Sequence, residues 1–376
     1  MGEGAGKMIP TNGPLTGLRV VEFDAIGPVP LAAMVLADLG ASVVRVARAP
    51  GGGQVWADTG GAVLNRNRPH VHLDLKDPAG RDAALSLIDR AEAVIEGFRP
   101  GVTERLGLGP EVCLGRNLRL VYARMTGWGQ SGPRADRAGH DLNYLGLTGA
   151  LYAMGEADRP PPPPLNLVGD YGGGAMFAVA GILAAVIQAR ATGRGQVVDA
   201  AMTDGAAVLS SLFFGLTASG LWQDARGTNL LDGSKPFYRT YACADGRFVA
   251  VAALEPAFFA RLLAGLGLEA AHHPQFDPGG WPAMLATFAE IFAGHPRDHW
   301  TQVFAGSDAC VTPVLTFGEV ADDPHNAARG TFVTVDGVVQ PAPAPRFSTG
   351  TCTVDPTRRG LIEVSDALAA WTDRAG

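Results

Sequence analysis

The sequence predicts an α/β protein in which a large Rossmann-like domain with a parallel sheet is joined to a smaller α+β domain. At 376 residues the chain exceeds the roughly 250–300 residues at which one hydrophobic core stops growing. Strand-like and helix-like patterns alternate at its start, and after Trp222 they give way to a hairpin and amphipathic helices. We expect a large domain over 1–222, a small domain over 223–330, and a C-terminal segment, 331–376, that returns to the large domain.

The large domain begins with a strand–helix–strand unit. Leu18–Phe23 is rich in β-branched residues, Pro30–Leu39 has helical spacing and is followed by Gly40, and Ser42–Ala47 is apolar again. The connector Ala25–Pro30 lacks G-x-G-x-x-G, which disfavours a dinucleotide. The later predicted elements are the strands Val71–Leu75, Ala93–Ile95, Leu120–Met125 and Gln196–Ala200, and the helices Gly80–Ala91, Leu142–Met154, Tyr171–Arg190 and Asp204–Trp222.

The small domain begins with a predicted hairpin, in which Phe237–Cys243 and Arg247–Ala252 flank a tight Ala-Asp-Gly turn. In the large domain, the apolar run Gly172–Ile187 is shorter than the ~20 residues of a membrane span and contains glycines, so we expect a buried helix and no membrane partner. The helices predicted to follow the hairpin are Phe258–Leu266, Pro282–Ala293 and Asp298–Phe304.

Composition narrows the classes of function. Hydrophobic residues make up 47% and charged residues 18% of the chain, as in ordinary globular proteins. The net charge of −7 argues against nucleic acid as a general partner. Four dispersed cysteines without a C-x-x-C pair suggest no metal site and no disulfide framework, which fits the cytoplasm. Met1–Asn12 lacks the apolar stretch of a signal peptide, and we expect a loose tail there.

Two motifs contain candidate catalytic residues: a histidine–aspartate pair and an aspartate that precedes a run of glycines. His140 and Asp141 lie just before a helical run, where free backbone N–H groups favour an oxyanion. Asp170 has apolar neighbours, which should raise the pKa of its carboxyl, and it precedes Gly172–Gly174, where a backbone or ligand can approach closely. Taken alone, each of these residues is better explained by helix capping or as a satisfied core or surface residue than by catalysis.

Further polar groups lie at predicted strand ends. Glu255 follows an apolar strand and precedes Pro256, where capping is again an alternative. Arginine suits phosphate through its fork of donors, and open α/β sheets bind ligands at the carboxyl ends of their strands, although a solvated charged face is the alternative. The cations near such ends are Arg48, Lys76, Arg99 and Arg105.

Taken together, these segments resemble the family III CoA-transferase superfamily, of the CaiB/BaiF type, and within it the α-methylacyl-CoA racemases. The resemblance extends over nearly the whole chain, and its many matches in order make it specific. The matching stretches are Leu18–Glu22, Asp74–Lys76, Gly97–Gly109, Ala123–Gly132, Gly139–Tyr144, Leu165–Gly174, Gly195–Met202 and Glu255–Pro256.

The resemblance implies roles for these residues. His140 and Asp170 would be the two bases of a proton transfer, Asp141 would support the oxyanion, and Glu255 would orient or polarise the histidine. It also implies an acyl-CoA substrate with no separate cofactor, and an interlocked homodimer whose active sites combine the large domain of one chain with the small domain of the other. The residues expected to bind CoA are Arg48, Leu73, Asp74, Leu75, Lys76, Gly97, Phe98, Arg99, Arg105, Gly139, Asn143 and Tyr144.

The sequence departs from the family pattern in two places. The segment from Arg48 to Arg66 carries extra glycines between Gly51 and Gly61, which bears on the contacts with the CoA nucleotide. Lys235 follows Ser234 in a loop that is normally small and neutral, and a lysine lining the substrate pocket would change the acyl-chain preference.

Three functions are compatible with these residues. A racemase moving the α-proton of 2-methylacyl-CoA thioesters, as in fatty acid metabolism, needs a base on each face of the carbon, which His140 and Asp170 provide. A CoA-transferase would use Asp170 as an acyl-accepting nucleophile and has no obvious use for His140. A CoA-binding protein without catalysis is the third reading. The presence of His140 favours the racemase.

Overall fold

We describe the chain from a computed structural model, which covers residues 12–49 and 60–372. Their contacts form two compact units. The first comprises 12–148, 164–210 and 324–372, and the second comprises 149–163 and 211–323. The predicted boundaries at Trp222 and Gly330 differ from these limits, and the prediction assigns 149–163 to the large domain. The predicted N-terminal tail, except Asn12, and the glycines 51–53 lie outside the described residues.

A seven-stranded parallel sheet forms the centre of the first unit, which confirms the predicted fold class. The strand order is β12-β3-β2-β1-β4-β5-β6. The strands are β1 (Arg19–Phe23), β2 (Ser42–Ala47), β3 (Pro69–His72), β4 (Ala93–Glu96), β5 (Val121–Thr126), β6 (Val197–Ala201) and β12 (Gly360–Leu361). A separate hairpin pairs β10 (Phe332–Val335) with β11 (Val338–Pro341).

Helices cover both faces of the sheet. One face buries α1 (Pro28–Asp38) and α8 (Phe177–Thr192), and the other buries α3 (Pro78–Ile88), α5 (Pro110–Arg116) and α15 (Val364–Thr372). Because both faces are covered, the strands read as nearly continuous apolar runs, which is typical of parallel sheets. The remaining helices of this unit are α2 (Gly61–Leu64), α4 (Val102–Arg105), α6 (Asp141–Leu145), α9 (Met202–Leu209) and α14 (Pro324–Arg329).

The third strand is shorter than predicted. It ends at His72, so the predicted strand residues Leu73–Leu75 lie in the following loop. There the Asp74 carboxylate accepts a hydrogen bond from the Lys76 N–H at 2.9 Å, and its carbonyl accepts one from the Asp77 N–H at 3.1 Å. These local bonds form a turn that competes with strand pairing, which is why the apolar pattern overestimates the length of the strand.

Two predicted long helices are interrupted. Leu142–Met154 is divided into α6 and α7 (Ala150–Ala153), because Gly149 between them has a φ of 82°, which an α-helix does not permit. Asp204–Trp222 is divided at Ser210 into α9 and α10 (Ser211–Ala218). In both places the chain passes from the first unit to the second. Apolar periodicity continues across each break, so the sequence pattern does not reveal them.

Leu167–Met176 is wound as a π-helix that continues into α8. In its first turn the Tyr171 N–H donates to the carbonyl of Asn166, five residues earlier, at 3.2 Å. The predicted helix start at Tyr171 is therefore too late. Leu167–Thr192 is long and apolar enough to cross a membrane by length and composition, but half of its most apolar window is buried inside the protein.

The π-helix packs backbone to backbone against α9. A Cβ atom on Gly173 would lie 2.5 Å from the Ala206 nitrogen, and one on Gly205 would lie 1.9 Å from the Gly173 carbonyl oxygen. No side chain fits at either distance. The glycines that follow Asp170 therefore serve a close approach between two helices.

The second unit contains a three-stranded antiparallel sheet, β7-β8-β9, with helices packed on it. The predicted hairpin is confirmed as β7 (Tyr238–Ala242) and β8 (Phe248–Ala252), whereas β9 (Val311–Val314) was missed because its alternation is short and broken by Pro313. Besides α7 and α10, the helices described in this unit are α11 (Pro256–Gly265), a 3-10 turn (Ala270–His272), α12 (Trp281–Ala293) and α13 (Arg297–Val303).

We expect Gly173→Ala to destabilise the first unit by about 1–3 kcal/mol, because the added methyl group forces the π-helix away from α9. Gly115→Ala is the matched control, since Gly115 is exposed in α5 with open space around its Cβ position. The control should be neutral or more stable by about 0.5–1 kcal/mol. Urea unfolding followed by tryptophan fluorescence measures both changes, and equal midpoints for the two variants would contradict the packing argument.

Candidate active site

The sheet of the first unit changes its winding direction between β1 and β4. From β1 the chain continues outward to β2 and β3, and from β4 it continues the opposite way to β5 and β6. Ligands of open α/β sheets bind at such a point, outside the carboxyl ends of the strands. Here the loops after the two strands touch, because a Cβ atom on Gly97 would lie 2.9 Å from Val29 and 3.1 Å from Ala25.

Asp170 lies at this point of the sheet. Its Oδ2 atom is 3.4 Å from the position that a Cβ atom on Gly27 would occupy. Gly27 follows β1 and has a φ of 85°, so glycine is favoured there for its backbone conformation, and a Cβ atom would be in van der Waals contact with Asp170. The π-helix thus brings a half-buried carboxyl group to the loop at the start of α1.

One hydrogen bond joins the histidine–aspartate pair to the segment of Asp170. The backbone N–H of Asp170 donates to Oδ1 of Asp141 at 2.6 Å. Asp141 is buried as the first residue of α6, and the preceding His140 has an exposed side chain. Neither aspartate caps its own helix. The Asp141 side chain binds the Asp170 backbone instead of its own helix, and Asp170 lies within the π-helix instead of before it.

The environment of Asp170 favours its protonated form. Burial raises the pKa of the Asp170 carboxyl to about 6, and the negative charge of Asp141 contributes in the same direction. A hydrogen bond from the Asn166 side chain and the charge of His140 act the opposite way, with smaller effect. This carboxyl group can therefore hold or release a proton close to neutral pH.

Tyr144 fixes the loop that precedes His140. Its hydroxyl donates to the Gly139 carbonyl, and its ring meets Trp128 edge-on with centroids 4.8 Å apart. Burial, with a contribution from the Asp170 charge, raises the pKa of this phenol to about 12. A Cβ atom on Gly139 would lie 2.7 Å from the Tyr144 ring. Tyr144, predicted to contact CoA, thus has a hydroxyl already engaged in supporting the loop, while Asn143 accepts the His140 N–H at 3.1 Å.

Exposed cations surround the carboxyl edge of the sheet. Within the described ranges, none of them forms an ion pair, whereas Arg45 on β2 is paired with Asp24 at 3.2 Å. Unpaired guanidinium and ammonium groups at a sheet edge suit a phosphate-bearing ligand. The four are Arg48 after β2, Lys76 after β3, and Arg99 and Arg105 after β4.

A buried acid supports the loop after β4. Oε2 of Glu96 accepts the Phe98 N–H at 2.7 Å, and its Oε1 accepts Arg124 Nε at 2.9 Å. Arg124 also binds Glu104 at 2.7 Å. Burial raises the pKa of Glu96 to about 7 despite these hydrogen bonds. The carboxyl group positions Gly97–Arg99, the loop expected to contact CoA.

Glu255 belongs to the second unit. It is exposed and immediately precedes α11, with Pro256 as the first helical residue. In the same unit Lys235 is only 6% exposed, and its ammonium donates to the Thr228 carbonyl at 2.7 Å and lies 4.4 Å from the Trp281 ring centroid. Burial lowers the pKa of Lys235. Its charge is therefore engaged within its own unit.

The sequence patterns missed several residues that build this site. Gly27 lies in the connector Ala25–Pro30, whose sequence argues against a dinucleotide site. Its Gly-Pro step is the signal that could have indicated a special turn before α1. Asn166 lies four residues before Asp170, and its role depends on the π-helical winding between them, which has no sequence signal. Glu96 carries no local signal, because its partner Arg124 lies on the neighbouring strand β5.

The chain matches CoA-transferase family III over residues 15–358, and it belongs to that family. It is 47% identical to the alpha-methylacyl-CoA racemase of Mus musculus over 332 residues, covering 88% of this chain and 85% of that protein. The Homo sapiens racemase is 46% identical over 333 residues, with 88% and 86% covered. A CAIB/BAIF family protein from Brucella suis has the same fold, with a TM-score of 0.78 at 27% identity over 96% of this chain and 98% of that one. The predicted family is confirmed.

We expect the free energy of unfolding to fall as pH rises from 4.5 through about 7, because Glu96 must lose its proton within the folded protein. Glu96→Gln keeps an acceptor and stays neutral, so it should remove a loss on the order of 2–3 kcal/mol over this range. Urea unfolding at several pH values provides the measurement.

Glu104→Gln is the control for this prediction. Burial raises the pKa of Glu104, but the hydrogen bond from Arg124 acts against burial and the net effect is a lowered pKa. The stabilising contribution of Glu104 is therefore lost as pH falls. The two variants should therefore change the pH dependence with opposite signs, and parallel curves for Glu96→Gln and the unaltered protein would rule out the buried neutral acid.

Proposed function

We propose that this chain interconverts (2R)- and (2S)-2-methylacyl-CoA thioesters by moving the α-proton through an enolate, with His140 and Asp170 as the acid/base pair. The observation that carries the proposal is the junction of the two motifs at the switch point, where Asp170 is half-buried and burial raises the pKa of its carboxyl to about 6. The identity of 46–47% to two racemases supports it.

The reaction needs a base on each face of the α-carbon. In one direction neutral His140 removes the proton, the C–H electron pair forms the enolate, and protonated Asp170 delivers its proton to the opposite face. The backbone N–H groups at the start of α6, beginning with Asp141, would stabilise the enolate oxygen, since the first N–H groups of a helix have no partner within it. In the reverse direction Asp170 is the base and the His140 imidazolium is the acid.

The pair works while it holds a single proton. When both groups are protonated no base remains, and when both are deprotonated no acid remains, so the rate profile against pH is bell-shaped. The two epimers have nearly equal free energies, so the equilibrium constant is close to one. The ratio of kcat/KM in the two directions equals this constant at every pH, so both directions have the same pH profile. A raised pKa at Asp170 keeps the proton shared between the two groups near neutral pH.

In this proposal CoA is part of the substrate, and neither a separate cofactor nor a metal takes part. Glu255, from the small domain of a partner chain in an interlocked homodimer, would orient His140, a role that rests on the family resemblance. We place the enzyme in the cytoplasm and in fatty acid metabolism. The CoA moiety would contact the exposed cations and the loops around them: Arg48, Leu73, Asp74, Leu75, Lys76, Gly97, Phe98, Arg99, Arg105, Gly139, Asn143 and Tyr144.

A CoA-transferase is the second candidate, because the family bears that name. In that reaction the Asp170 carboxylate would attack the thioester carbonyl, expel the CoA thiolate and carry the acyl group as a mixed anhydride. Such a step needs an ionised carboxylate and an acceptor acid. A carboxyl group with a pKa of about 6 is available in both forms near neutral pH and serves either reaction. His140 at the adjacent helix start favours proton transfer, because acyl transfer has no obvious use for it.

Incubating a 2-methylacyl-CoA in deuterium oxide should exchange its α-proton without any acceptor acid, as followed by NMR. Removing either base by Asp170→Asn or His140→Ala should slow the exchange by about 10²–10⁴-fold. His325→Ala is the control, since His325 is exposed on α14. Acyl transfer to an added carboxylate, with exchange absent, would establish the transferase instead.

Arg99→Ala and Lys76→Ala should raise KM several-fold and leave kcat nearly unchanged, because these exposed cations bind the CoA phosphates equally in the ground and transition states. An N-acetylcysteamine thioester, which lacks the nucleotide, should be processed by the variants and the unaltered protein at the same rate. Arg81→Ala, which removes a partly exposed arginine of α3 paired with Asp82, is the control. A fall in kcat with unchanged KM would assign these residues another role.

A further inference from the structure

The Asp141 side chain has one engaged oxygen and one that is buried without a partner. Oδ1 accepts the Asp170 N–H at 2.6 Å, while Oδ2 has no hydrogen-bond partner in the described part of the chain. The residue is 6% exposed. The bond to Oδ1 satisfies an N–H group in the first turn of the π-helix. It does not account for Oδ2, because a buried carboxylate oxygen without a partner is unfavourable by itself.

The segment before Asp170 is shaped around this carboxylate. A Cβ atom on Gly169 would lie 2.5 Å from Asp141 Oδ1 and 3.2 Å from the Asp141 carbonyl oxygen. Only glycine allows the π-helix to come this close to the start of α6. The contact therefore sets the position of the Asp170 backbone, and with it the location of the carboxyl group.

We propose that Asp141 is a positioning residue for Asp170: its Oδ1 fixes the Asp170 backbone in the π-helix, and its buried negative charge strengthens proton binding by the Asp170 carboxyl group. This inference rests on the proposed function for its catalytic meaning. The hydrogen bond and the effect of the charge are properties of the folded chain and can be measured without substrate.

The other groups around Asp170 do not supply this charge. His140 carries the opposite sign and lowers the pKa of Asp170, Asn166 is neutral, and Tyr144 is a phenol whose pKa burial raises to about 12. Asp204, on the facing helix α9, is exposed.

Helix α1, which begins beside Asp170, does not stabilise the Asp170 carboxylate. The first turn of α1 contains no acidic residue, and its prolines, Pro28 and Pro30, lack the N–H groups that would bind an anion. Asp141 is thus the charged neighbour that opposes ionisation of Asp170, in addition to burial.

Asp141→Asn separates the two effects, because asparagine keeps an acceptor oxygen and nearly the same volume but removes the charge. We expect the acid limb of the kcat/KM profile to move to lower pH by about one unit, equally in both directions. Asp204→Asn makes the same charge change on α9 and should leave the limb in place. An unmoved limb in Asp141→Asn would overturn the role of the charge.

Titration by NMR of protein labelled with ¹³C at the aspartate carboxyl carbon gives a second readout, with the Asp170 signal assigned by its loss in Asp170→Asn. The midpoint of that signal should fall in Asp141→Asn and stay unchanged in Asp204→Asn. If the protein does not exchange α-protons, the proposed function fails and the titration still decides the inference. If exchange occurs and the Asp170 midpoint is the same in Asp141→Asn, the inference fails and the function stands.

Discussion

The backbone contact between the π-helix and α9 is the constraint on which the site depends. Gly173 and Gly205 allow the two helices to touch without side chains between them. The wider π winding and this contact place Asp170 beside the loop after β1. The glycine-rich segment therefore sets the position of the Asp170 carboxyl group through its packing.

The charged side chains near the site in the first unit fall into two groups. Beneath the carboxyl edge of the sheet, Arg124 is paired with Glu96 and Glu104, and these bonds hold the loop after β4. At the edge itself the cations are exposed and unpaired within the described ranges. The paired charges give the loops a defined shape, and the unpaired ones remain available to an anionic ligand.

The sequence predicted what depends on local patterns. The parallel strands follow from short apolar runs, and the β7–β8 hairpin follows from two such runs around a tight turn. The break at Gly149 and the start of the π-helix were missed, since apolar periodicity continues through both. His140 and Asp170 could each be taken for a cap or a core residue, and only the resemblance of many ordered motifs made them a pair. The bond between Asp141 and Asp170 spans 29 residues and has no sequence signature.

The edge strand β12 has a consequence for how the protein is made. Gly360 and Leu361 pair with the start of β3, nearly three hundred residues earlier in the chain. On the ribosome, the sheet therefore stays incomplete until almost all of the described chain has been synthesised, whereas the second unit has all its segments by residue 323. Such distant pairing slows folding and leaves an open strand edge in the meantime. During synthesis, β3 is the strand through which a nascent chain could pair with a neighbour.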